Sequence, residues 1–323
     1  MSPRDSRLSA FQSNSKTAKR CLVTIFAFAK LSLVQNDELI APSHQIAADA
    51  SPAEVIVPPS PDNPPWGPAQ GFGLWIASIA FIIVLPAIFL VPYLAMQKGS
   101  FLDNQDLIEF AKTDPTAVFL QIVSVLPAHL LTVLLAWVIV TQGRKYGFRE
   151  MLGWHSGGFR WWYYLVVLVA FFVLALVVSR FVPEQENELI RMLQTSRSAV
   201  YIIAFIATFT APFVEEVVYR GVLFSAFQKR IGTAGGFLFA TLLFAAVHVP
   251  QYWPSYSTLF LLLFLSVILT GIRVWSKNLW PCIVLHTLFN ATQSLSLIFA
   301  PDQAPKTDLP EQVTAILRIF HLG

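Results

Sequence analysis

The stretch APFVEEVVYRGVLF, residues 211–224, places Glu215, Glu216 and Arg220 inside a run that otherwise reads as membrane-buried helix. Each charged side chain at a bilayer centre costs about 2.5–3.5 kcal/mol on insertion scales, so three cost about 8–10 kcal/mol. The best apolar residues return only about 0.3–0.6 kcal/mol each, so a helix of about twenty of them barely offsets the charges. The charges therefore need partners or a purpose. Glu216 and Arg220 stand four residues apart, on one helical face, where they can pair. Glu215 is turned about 100° from Glu216 and about 140° from Arg220, which leaves it the carboxylate less engaged by the arginine.

The surroundings support the membrane reading. Of 323 residues, 55% are hydrophobic and 13% charged, against about 25% charged in soluble domains. Long apolar runs fall near 72–97, 117–141, 162–182, 199–228, 233–250, 257–275 and 279–299. Each can cross a hydrocarbon core of about 30 Å. The expected fold is an all-α polytopic bundle of about seven spans, with three N-terminal spans over 71–182 and a core over 199–300. The fourth run, about 45 Å long as continuous helix, exceeds the bilayer. Pro212 lies in its middle without an N–H for the Thr208 carbonyl, so a break or kink is expected there.

Outside the spans the chain changes character. Eight prolines lie between Pro42 and Pro68, and residues 1–70 read as a disordered Pro-rich tail. Within it, CLVTIFAFAKLSLV is short and interrupted by Lys30, which favours an unstructured or interfacial extension over a processed signal. At the other end, 301–323 reads as a short tail in which EQVTAILRIF forms a surface amphipathic helix. With the N-terminus inside, eight basic residues (Arg144, Lys145, Arg149, Arg160, Lys229, Arg230, Arg273, Lys277) flank one side and seven the other. That difference leaves orientation nearly undecided under the positive-inside rule.

Several function classes drop out. A net charge of +3 without a basic patch excludes a nucleic-acid partner. Cys21 and Cys282 make neither a disulfide framework nor a structural zinc site. No internal repeat supports an inverted-repeat transporter.

Polar residues at membrane depth carry the functional reading. His129 in LPAHLL reads as a bonded packing residue. His248 sits two residues before Pro250, near a helix end. His286 and Asn290 are four residues apart and can face one cavity. With Glu215 they supply two imidazoles, a carboxylate and an amide from three successive spans, the groups needed to activate a water and hold the oxyanion it creates. The same inventory also suits metal binding, proton-coupled transport or, with the cluster idle, a non-catalytic scaffold.

At these residues the chain resembles the CPBP intramembrane proteases, which include the type II CAAX prenyl endopeptidases. The family pattern of Glu-Glu-x-x-x-Arg, Phe-x-x-x-His and His-x-x-x-Asn reads here as EEVVYR (215–220), FAAVH (244–248) and HTLFN (286–290). The resemblance implies that Glu215 is the general base and His248 its partner in polarising a water. It further implies that His286 and Asn290 bind the oxyanion or contribute to a metal site, and that Glu216, Arg220 and Phe244 support the motif helices. An apolar setting penalises a carboxylate's charged form and strengthens it as a base, which gives the burial of Glu215 a purpose. Glu215, His248 and His286 could also make the three-ligand set of a catalytic zinc, with water in the open position. Metal-free hydrolysis uses the same residues, and if Glu215 were a ligand Glu216 would have to be the base. The implied protein is a membrane-embedded protease acting on a membrane-associated protein or peptide, with lipidated CAAX-type ends among the candidates. It would be integral to the bilayer, the cytoplasmic membrane in a bacterial source.

Overall fold

Each apolar run winds as helix because hydrocarbon offers backbone N–H and C=O groups no other partner. The computed structural model describes residues 58–97, 104–183, 185 and 197–299, all within the unit Val57–Gly323. In chain order the helices are α1 (Pro68–Gln97), α2 (Asn104–Thr113), α3 (Pro115–Val123), α4 (Val125–Thr141), α5 (Phe148–Met151), α6 (Trp161–Phe181) and α7 (Arg197–Phe205). A π-helical turn, π1 (Ile206–Thr210), leads into α8 (Ala211–Glu216), and a second, π2 (Val217–Leu223), leads into α9 (Phe224–Tyr252). Two further helices, α10 (Tyr256–Ser276) and α11 (Trp280–Phe299), complete the bundle. The described residues contain no strand.

Six helical stretches among the described residues are long and apolar enough to cross a membrane. One of them, Val200–Tyr252, is 53 residues long and contains two of the seven expected runs. The chain folds back inside it at Gly232, whose backbone (φ 79°, ψ 170°) is not helical and suits a residue without Cβ. Phe227 and Phe239 stack at 4.3 Å between centroids, although twelve residues of straight helix would hold them about 18 Å apart. All seven runs are thus present, the fourth and fifth joined by a tight helical hairpin.

Outward faces are apolar. Val166, Val169, Val173 and Val177 of α6 are all exposed, a ridge that water would not tolerate at this size but lipid does. Inside, one core surrounds π2 and gathers Trp66, Leu74, Val140, Val217, Val222, Phe244 and Leu279. A second gathers Phe171, Leu265, Leu269, Leu285 and Phe289 between α6, α10 and α11.

Two expectations need correction. Residues 58–67 of the proline-rich segment are ordered and built into the bundle. Trp66 is 1% exposed, and its indole Nε1 donates to the Val222 carbonyl at 3.0 Å. The prolines exclude regular structure without excluding a fixed one, because a buried indole and its hydrogen bond anchor the segment. Arg273, read as a loop charge, lies in the last turn of α10 and is buried. At Pro212 the α-helical ladder is interrupted as expected, because the turn before it widens to the π register. The apolar stretch CLVTIFAFAKLSLV and the segment EQVTAILRIF lie outside the described residues.

Candidate active site

Glu216 and Arg220 are paired. Arg220 donates through Nη1 to Glu216 Oε1 at 2.8 Å, and neither side chain is exposed. Its Nη2 donates to Ser266 Oγ at 2.7 Å and to the Ser266 carbonyl at 3.3 Å. Nε reaches Thr270 Oγ1 at 3.3 Å, and the guanidinium carbon lies 4.6 Å from the centre of the Phe244 ring. A charge that would be ruinous alone at this depth is made tolerable by hydrogen bonds on every edge and an aromatic face.

His286 joins this pair to Glu215. Its Nδ1 lies 2.8 Å from Glu216 Oε1, the oxygen that also accepts from Arg220. A carboxylate held by arginine is an acceptor, so Nδ1 carries the hydrogen. The other ring nitrogen, Nε2, is 3.7 Å from Glu215 Oε2, too long for a hydrogen bond. One imidazole therefore spans both carboxylates. Sequence spacing separates Glu215 from the arginine, and the structure separates the two acids by burial as well. Glu216 is fully enclosed, whereas the Glu215 side chain is 24% exposed.

The remaining motif residues surround this centre. His248, half-buried near the end of α9, donates Nδ1–H to the Phe244 carbonyl at 2.7 Å. That bond leaves Nε2 as the nitrogen available to a ligand. The Phe244 ring lies between the two imidazoles, 4.9 Å from His248 and 5.8 Å from His286. Asn290 donates through Nδ2 to the Ala207 carbonyl at 2.8 Å. In π1 the Ala211 N–H bonds the Ile206 carbonyl, so Ala207 loses the partner an α-helix would supply. Asn290 meets that orphaned group. His129 on α4 pairs through Nδ1 with Thr210 Oγ1 at 2.9 Å, while the threonine hydroxyl donates to the Ile206 carbonyl.

Residues 197–292 match the family model of type II CAAX prenyl endopeptidases, Rce1-like. The CPBP resemblance read from the three motifs is borne out over that stretch. No curated protein and no solved structure matches the chain. The matched segment contains Glu215, Glu216, Arg220, Phe244, His248, His286 and Asn290 and runs from α7 into α11. The first three spans lie outside the match. They still touch the matched segment, through Trp75 Nε1 donating to the Tyr219 hydroxyl at 3.1 Å.

The donor set decides how a metal would fit. His248 and His286 each have one ring nitrogen engaged within the protein, and Glu216 is engaged by two donors. Among the described residues, no three His, Cys, Asp or Glu side chains gather as a ligand set. No step below passes through a metal.

Motif reading alone misses Ser266, Thr270 and Arg273. The signal is present, because positions 266, 270 and 273 share one face of α10 in the otherwise apolar LSVILTGIR. Cys282, discounted earlier, is buried and donates Sγ–H to the Leu269 carbonyl at 3.3 Å.

Proposed function

We propose that the protein is an intramembrane endopeptidase in which Glu215 is the general base. The observation that carries this reading is the single imidazole, His286, oriented by buried Glu216 and facing the more open Glu215. Glu215 takes a proton from a water whose oxygen adds to the scissile carbonyl carbon. His248 holds that water through Nε2. Fixed by Glu216 at Nδ1, His286 presents Nε2 to the reacting centre, as a carboxylate orients histidine in hydrolytic triads. In its doubly protonated form His286 presents an Nε2–H donor to the oxyanion. When the C–N bond breaks, its electron pair goes to the nitrogen, and Glu215 returns the proton there. The second N–H of Asn290 faces the same task.

The substrate we propose is a peptide bond close to a lipidated C-terminal end, since a buried site suits a peptide held at the membrane and the matching family model is described by that activity. The test is cleavage of a prenylated CAAX-type peptide by purified protein in nanodiscs, beside an unlipidated control, with and without chelator. Cleavage of the lipidated peptide is expected, lost in Glu215→Gln and unaffected by chelator. Proton-driven solute flux without hydrolysis would overturn the reading.

A further inference from the structure

Both π-helical turns displace a backbone carbonyl, and a side chain from a neighbouring span meets each one. In π2 the Phe224 N–H bonds the Tyr219 carbonyl, so the Arg220 carbonyl loses the donor that an α-helix would give it. Arg273 Nε donates to it instead, at 3.3 Å. Arg273 is buried at 1% exposure, with its guanidinium 5.9 Å above the Phe224 ring and its Nη2 buried without a hydrogen-bond partner. Leaving an arginine so enclosed is expensive, and a role for it at Arg220 answers why it is there. A second donor from outside, Trp66 Nε1, reaches the Val222 carbonyl of the same turn.

We propose that Arg273, seconded by Trp66, is a positioning residue that holds π2 in its wide register. Closing π2 to an α turn would rotate one flank against the other by about 100°. The Arg220 guanidinium would leave Ser266 and Thr270, Glu216 would lose its partner, and His286 its anchor. Arg273 thus acts on the reacting centre through three residues and touches no substrate. The inference rests on the endopeptidase reading.

Two substitutions separate the hydrogen bond from the charge. Arg273→Met removes both, whereas Arg273→Gln puts an amide N–H at the same number of bonds from Cα as Nε. Met is expected to lower kcat about 100-fold while KM stays within about twofold, as misplacement near the chemistry does. Gln should recover kcat to within about fivefold of the unaltered protein, because one neutral hydrogen bond replaces another. A folded Met variant with undiminished kcat, a change confined to KM, or a Gln variant no better than Met would each overturn the proposal. If Met prevents folding, Trp66→Phe is measured in its place; about tenfold lower kcat supports the proposal and undiminished kcat overturns it. If the unaltered protein cleaves nothing, the endopeptidase reading fails, and amide hydrogen exchange over 217–224 decides the role of Arg273. Faster exchange there in Met than in Gln supports it, and equal exchange overturns it.

Discussion

His286 and Arg220 donate to the same oxygen of Glu216, each at 2.8 Å, across a sequence separation of 70 residues for the histidine. This shared oxygen divides the adjacent carboxylates into two kinds. Glu216 is a fixed hub inside the bundle, while Glu215 stands at its edge with room for a proton.

The two acids should therefore fail differently. Glu216→Gln leaves Arg220 an uncompensated buried charge, which costs about 3–5 kcal/mol and lowers the thermal midpoint markedly. Glu215→Gln removes no hydrogen bond from the buried hub and should stay within about 0.5 kcal/mol of the unaltered protein. Its cleavage rate should fall by about 10²–10⁴-fold, the usual worth of a positioned base. Thermal melts in detergent beside the cleavage assay check both; equal melts for the two variants would contradict the division.

Trp66 offers a test far from the motifs. Trp66→Ala empties a fully buried site and should cost about 3–5 kcal/mol. Trp66→Phe keeps most of the ring but removes the donor to the Val222 carbonyl, for about 1 kcal/mol. Denaturation of both variants checks the order, and a neutral Trp66→Ala would mean that residues 58–67 do not support the bundle.

What the sequence made legible follows from where the information lies. The Glu216–Arg220 pair and the shared face of His286 and Asn290 are relations within one helix, which the 3.6-residue period exposes. The bond between His286 and Glu216 joins different spans, and no periodicity reports it. The π turns are equally hidden, because they depend on Pro212 together with Asn290 and Arg273, donors far along the chain. Trp66 was obscured by its proline neighbours, whose composition argued for disorder while one indole argued for anchorage. The hairpin at Gly232 needed only the run lengths, which is why seven spans could be counted.

The exposed pair of Lys277 and Asp62 makes a deliberate contrast. Nζ and Oδ2 are 3.1 Å apart, with the side chains 72% and 44% exposed. Water and salt screen such a pair, so Lys277→Ala should change stability by less than about 1 kcal/mol. Melting at low and high ionic strength checks this, and a large salt-dependent loss would show that the contact matters more than its exposure allows.

Asn290 bears two demands at once. One N–H satisfies the Ala207 carbonyl that the π register and Pro212 leave without a partner, and the proposed mechanism gives the other to the oxyanion. Asn290→Ala should therefore lower stability by about 1–3 kcal/mol through the unsatisfied carbonyl. It should also lower kcat by about 10²–10³-fold through the lost donor. Asn290→Asp keeps the shape but turns acceptors toward both oxygens, so it should be worse than Ala on both counts. Thermal midpoints and kcat measured on the same preparations separate the two roles. Lost turnover with an unchanged midpoint would leave only the oxyanion role, whereas a lowered midpoint with full turnover would leave Asn290 as a stitch between α11 and π1 and pass the oxyanion to His286 alone.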